Sequence, residues 1–232
     1  MSHQADLSSV SASDGRPVVE SVTVYCASSP HIHEDYFKLA DEFGRRLGES
    51  GRRLVYGGGS LGLMGAVSKA CRNAGGHVTG IITENLRNAE LLDPDNQENI
   101  VVETMRERKR ILEAKGDAFV IMPGGLGTLE EFFEILVGRL LGEHAKPVIL
   151  LDPPDPTHPE SHSFFTPLRM MVEHMIDNGF AKRQAWSLAT ICETPADVIT
   201  RLDAVNHAQM PMLNSSLIPS APMPNQTLPN QP

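Results

Sequence analysis

Short apolar runs alternate with stretches of helical period through the middle of the chain. VVESVTVYCAS, residues 18–28, is apolar and β-branched, as a buried strand requires. DYFKLADEFGRRLGES follows it, with Phe37, Ala40, Phe43 and Leu47 on one helix face and Gly51 as the stop. The alternation then repeats. RRLVYGGG is a second strand and LMGAVSKACRNAGG its helix. HVTGII is a third strand, and NIVVE a fourth followed by the helix TMRERKRILEAKG. DAFVIMPGG is a fifth strand with TLEEFFEILVGRLLGE as its helix, and KPVILLD is a sixth. Helices are expected at about residues 163–178 and 195–207, flanking the short run SLATICE. PPDPTHPES, with four prolines in nine residues, is a loop insertion.

This order predicts an α/β fold: one Rossmann-like domain with a doubly wound parallel sheet covered on both faces. Crossovers between parallel strands are right-handed. Ligands of such sheets lie outside the carboxyl ends of the strands, near the point where strand order reverses. Two glycine loops fall at strand carboxyl ends, so both belong on that rim.

The first loop, GGGSLGLMG, spans residues 57–65 and carries glycines at 57, 59 and 62, the spacing of a dinucleotide fingerprint. Its place argues against that assignment. It follows the second strand, and the acid after the next strand is Glu84. The loop is either a tight turn where helix and sheet pack closely or a contact to phosphate or sugar. On the second reading Gly58 and Gly59 are substrate-binding candidates.

The second loop is PGGLGTLEE. Gly124, Gly125 and Gly127 let the backbone approach a ligand and expose amides at a helix start. Thr128 and Glu131 have capping-box spacing, and Glu130 would suit the first turn of a helix. Both acids therefore have a purely structural alternative. Glu130 also stands where a third fingerprint glycine would be, so a pyrophosphate would lie against an acid. A monophosphate on the amides, with a sugar carbon facing the carboxylates, fits the loop better.

MRERKR, residues 105–110, places four cations near a helix start, where they oppose the helix dipole. Met105, Arg108, Lys109 and Leu112 share one side. With Met105 and Leu112 partly buried, Arg108 and Lys109 would point toward the sheet rim. A solvated helix face is the alternative.

Composition narrows the class. Of 232 residues 41 % are hydrophobic and 21 % charged, which suits one globular domain. That domain is expected over residues 18–208, between a Ser-rich tail at 1–17 and a Pro/Asn/Gln tail at 209–232, both disordered. The net charge of −9 argues against a nucleic-acid partner but not against a small phosphate ligand. No apolar stretch is long enough for a membrane, and the first residues lack a secretory core, so a cytoplasmic location is expected. The three cysteines, Cys26, Cys71 and Cys192, are scattered and read as reduced thiols. His31 and His33 have no matching ligands, so no metal site and no cofactor are expected.

Taken together, these motifs resemble one family. PGGLGTLEE fits the PGGxGTxxE motif of the LOG (Lonely Guy) family, MRERK resembles its Met-His-x-Arg-Lys motif, and YGGGSLGLMGAV resembles its first glycine loop. The resemblance covers about residues 20–150. Its members are cytokinin riboside 5′-monophosphate phosphoribohydrolases, often labelled lysine decarboxylases. It implies a homodimer or larger homo-oligomer that splits a purine nucleoside 5′-monophosphate into free base and ribose 5-phosphate. It implies that Arg108 and Glu131 are catalytic and that Lys109, Glu130, Gly124, Gly125, Gly127 and Thr128 line the site, with Met105 as a further candidate for substrate contact. Arg106 stands where His is usual and Thr83 where Pro often follows the third strand. Both bear on base preference. Glu90 aligns with an acid in the loop after that strand. The competing classes are a non-catalytic nucleotide-binding module, a dinucleotide oxidoreductase, and a pyridoxal-phosphate decarboxylase, which would need a Schiff-base lysine.

Overall fold

The elements follow the expected alternation in a computed structural model that describes residues 19–89, 91–158 and 162–205. The expected tails, the outer limits of the expected domain, and Glu90 lie outside the described residues. In chain order the elements are β1 (Ser21–Tyr25), α1 (Glu34–Glu49), β2 (Arg53–Tyr56), α2 (Gly62–Asn73), β3 (Val78–Thr83), α3 (Glu84–Arg87), β4 (Glu98–Val102), α4 (Met105–Lys115), β5 (Ala118–Ile121), α5 (Leu126–Leu141), β6 (Val148–Leu151), α6 (Thr166–Asp177), α7 (Gln184–Ser187), β7 (Ala189–Cys192) and α8 (Pro195–Asp203).

Seven parallel strands form one sheet in the order β4-β3-β2-β1-β5-β6-β7. The chain winds outward from β1 to one edge, crosses back to β5, and winds to the other edge. The order therefore reverses between β1 and β5, which puts the ligand-binding crevice at their carboxyl ends.

Each face of the sheet has its own core. One packs α1, α2 and α8 through Phe43, Leu47, Val67, Cys71, Val198 and Leu202. The other packs α4, α5 and α7 through Leu112, Phe132, Ile135, Leu136 and Trp186. Burial on both faces explains why β5 and β6 are apolar throughout. SLATICE supplies the seventh strand, which pairs with β6 alone and stays half-exposed at the edge. Gly51 ends α1 as expected, in the left-handed region at φ +74. Among the described residues no helix is long and apolar enough to cross a membrane.

The far end of α5 carries a titrating contact. His144 Nε2 lies 2.9 Å from the Ile135 carbonyl, so that nitrogen must carry the proton. Nδ1 is then the bare nitrogen, buried without a hydrogen-bond partner among the described residues. Burial lowers the imidazole below its ordinary 6.5, against the Ile135 hydrogen bond, which raises it. The unfolded chain takes up this proton more readily. The stability contribution is thus full above about 6.5 and is lost as pH falls through the lowered folded-state value. Melting temperatures between pH 8 and 5 should show that acid limb, and His144→Gln, which keeps a donor but does not titrate, should flatten it.

Candidate functional site

The helix after the second glycine loop starts earlier than the sequence suggests. α5 begins at Leu126, with Gly125 as an N-cap that offers no side-chain bond. Thr128 is therefore inside the first turn and buried, not at the cap. It tucks against Gly124, where any Cβ would overlap its side chain. The expected capping box does not form. Glu130 and Glu131 both fall beyond the first turn, which holds no acid. Neither acid serves the helix start, and Glu130 instead pairs with Lys109 of α4.

The opening of α5 faces outward. Gly125, Leu126 and Gly127 are exposed, and Leu126 reaches 87 %. A Cβ on Gly125 or Gly127 would meet nothing within 4 Å, so the protein's own packing does not require glycine at either place. Bare backbone with uncapped amides at a helix start is the arrangement that receives an anion closely. Gly127→Ala is accordingly expected to stabilise the fold by about 0.5–1 kcal/mol. It should raise the KM for a nucleotide by about tenfold, the equivalent of one weakened charge-assisted bond. A melting curve and a saturation curve check both; a higher melting point with an unchanged KM would mean that no ligand approaches this backbone.

Arg108 lies at the carboxyl ends of β2 and β3, and its place follows from the sheet. The β2–β3 ladder ends at Tyr56 and Gly80. The next carbonyls, of Gly57 and Ile81, take the guanidinium instead: Nε donates to Ile81 O at 2.9 Å and Nη2 to Gly57 O at 3.1 Å. A planar fork with several fixed donors can serve both at once. A Cβ on Gly57 would overlap Arg108 Nη2 and displace the guanidinium from this seat. Arg108 and Leu112 are the buried residues of α4, whereas Met105 is exposed, although its sulfur lies 3.6 Å from Arg108 Nη1. Lys109 spans to α5, with Nζ 2.5 Å from Glu130 and 3.1 Å from Glu134. The hydrogen bond to Glu130 holds this amine above its usual range, against partial burial. Lys109 therefore ties α4 to α5 one turn below the mouth and partly neutralises Glu130.

The sequence reading passed over two neighbours. Glu134 was detectable as the residue four beyond Glu130 on the same helix face. Tyr25 closes β1, at the reversal point of the sheet, and is buried. Burial pushes its phenol well above the ordinary value; Glu131, Glu113 and Glu134 push it further, and Arg108 opposes them. That balance puts the charges of Glu131 and Arg108 within reach of one buried ring.

The first glycine loop is closed by the protein itself. Gly57, Gly58 and Gly59 are buried. Gly58 sits at φ +82 and accepts from Asp93 N at 2.9 Å, and Gly59 bridges to Leu92. Leu63 N, in the first turn of α2, donates to Ala27 O at 2.9 Å. A Cβ on Gly62 would come within 2.6 Å of Ser28, so this glycine is set by close helix–strand approach. Glu84 pairs with Arg87 on α3 at 3.4 Å. His33 caps α1, its Nδ1 accepting from Asp35 N at 3.3 Å. No group of three metal-ligating side chains occurs among the described residues.

Fold and site thus define a doubly wound α/β protein with an exposed helix start after β5, two acids past the first turn of that helix, and a buried arginine at the ends of β2 and β3. A family model described as "possible lysine decarboxylase" matches residues 64–202. A cytokinin riboside 5′-monophosphate phosphoribohydrolase of Mycobacterium tuberculosis is 38 % identical over 77 % of this chain and 90 % of its own. The Arabidopsis thaliana protein of that name designated LOG5 is 36 % identical over 79 % of this chain and 77 % of its own. The chain belongs to this family, the LOG family. Among solved structures, a molybdenum cofactor carrier protein of Chlamydomonas reinhardtii aligns with a TM-score of 0.55 and 21 % identity, over 80 % of this chain and 98 % of that one. At that identity the likeness is one of fold.

Proposed function

We propose that the chain hydrolyses the N-glycosidic bond of purine nucleoside 5′-monophosphates, of cytokinin type or with plain adenine, to free base and ribose 5-phosphate. One observation carries the reading above the others. α5 opens on amides that no side chain caps, at an exposed mouth, and bears Glu130 and Glu131 past its first turn. The names of the relatives, and their identity over most of the chain, support the same reaction.

The phosphate lies on the amides at the start of α5, against Gly125 and Gly127. The ribose then projects toward the carboxylates. As the bond from C1′ to the base breaks, both electrons leave with the purine, which takes up one proton. Positive charge develops on the ribose ring, and the Glu131 carboxylate stabilises it and orients the attacking water. Water adds its oxygen to C1′ and releases the balancing proton. Arg108 remains protonated at neutral pH, so it orients a carboxylate or the ribose and does not donate the proton. Glu130, held by Lys109, sets the shape and charge of the outer wall.

The proposal includes a second copy of the chain. Clefts of about 450 Å³ beside Arg72 and about 440 Å³ beside Tyr36 are not lined by Glu131, and the mouth of α5 is exposed at Gly125, Leu126 and Gly127. Val137, Leu140 and Leu141 present apolar surface farther along the same helix. A self-associating face there would cover them and enclose the mouth.

Product analysis tests the reaction. AMP alone should give equal amounts of adenine and ribose 5-phosphate, without added phosphate or pyrophosphate. Tight binding of AMP with no base released would instead support a non-catalytic nucleotide-binding module.

A further inference from the structure

One buried ion pair takes no part in the chemistry above. Arg72 on α2 places Nη1 2.9 Å from Asp93 Oδ2, and both side chains are largely buried. Ser68 Oγ donates to the same carboxylate at 3.2 Å, and Asp95 N donates to Oδ1 at 3.1 Å. Arg72 Nη1 also donates to Asn96 Oδ1 at 2.8 Å. Desolvation offsets most of what such a pair returns in stability. Its use is better sought in what it holds in place.

What it holds is the first glycine loop. Asp93 N donates to Gly58 O and Ser60 N donates to Leu91 O, each at 2.9 Å. Leu92 bridges to Gly59 between them. Leu91 takes φ +50 to make this fit, a conformation that a leucine adopts only when its surroundings enforce it. The residue next to the clamp is Gly57, whose carbonyl receives Arg108 Nη2. An unbroken series of contacts thus runs from the Asp93 carboxylate through its backbone to Gly58, Gly57 and the guanidinium.

We propose that the Arg72–Asp93 pair is a brace that positions Arg108: it fixes the glycine loop so that the Gly57 carbonyl holds the guanidinium at the ends of β2 and β3. The inference rests on the reading of Arg108 as a functional group. Asp93 is then a positioning residue that acts through Arg108 alone. A pair that merely stabilised the fold would change the melting point and leave the kinetics of the folded protein untouched.

Asp93→Asn removes the charge and keeps the size. The expected result is a fall of about ten- to hundredfold in kcat for base release from AMP, the effect of a small misplacement, with KM little changed. The substitution should add nothing further in an Arg108→Lys background. A native kcat in Asp93→Asn, or a full additional loss in the double variant, overturns the brace. A crystal structure of Asp93→Asn gives a readout independent of activity. The guanidinium should have left the Gly57 carbonyl, and one still seated there overturns the proposal whatever the kinetics. Should the native chain release no base, the functional reading fails, and the position of the guanidinium still decides the brace. Arg72→Lys carries the same measurements if Asp93→Asn does not fold.

Discussion

Glu131→Gln is expected to lower base release by about 10²-fold or more, as loss of an electrostatic stabiliser does, while the melting temperature stays within about a degree. The substitution keeps the size and the hydrogen-bonding capacity of the side chain and removes only its charge. The position of the residue makes the result decisive. Glu131 lies past the first turn of α5 and is half-buried. It therefore has no helix-start role for the substitution to damage. A variant with native turnover and a lowered melting point would assign Glu131 to the fold and remove the central group of the mechanism.

Arg108 should behave differently, because it serves both fold and chemistry. Arg108→Ala leaves the Gly57 and Ile81 carbonyls without their donor in a buried place. Each unsatisfied group costs about 1–3 kcal/mol, so a loss of at least about 2 kcal/mol is expected in urea unfolding. Turnover should fall by about 10²–10³-fold, the range for removing one group aimed at transition-state charge. Arg108→Lys tests the geometry separately. An ammonium is a single point charge that cannot span two carbonyls as the guanidinium does. It should preserve more stability than alanine yet remain well below native turnover. Native activity in the lysine variant would show that charge alone is needed and that the fork is incidental.

The sheet was legible because its signal is local and repeated. Each strand is a short apolar run ended by glycine or a polar turn, and each long helix has a clear face. β7 was not assigned, because an edge strand buried on one side carries a weak pattern. The two glycine loops show what spacing does and does not encode. Both have glycines at a strand end, yet residues 57–59 are buried under Leu92 and Asp93 while Gly125 and Gly127 stand bare. Partners far along the chain make that difference, and no local pattern reveals them. The capping box failed for a related reason. Thr128 and Glu131 have the right spacing, but α5 starts at Leu126, two residues before Thr128. Met105 shares the buried side of α4 by helical period, yet as the first residue of the helix it is exposed. Arg108 sits at the ends of β2 and β3. Its two carbonyl partners depend on where the β2–β3 ladder stops, which the sequence does not state.

The most direct test of the account is base release itself, followed by chromatography, from AMP and from N6-isopentenyl-AMP, with the native chain and with Glu131→Gln. The account predicts free base and ribose 5-phosphate from the native chain and at least about 10²-fold less from the variant, with the ratio of the two native rates setting the base preference. Nucleotide bound by both proteins and base released by neither would contradict it, and would leave the mouth of α5 as a site that holds a nucleotide without cutting it.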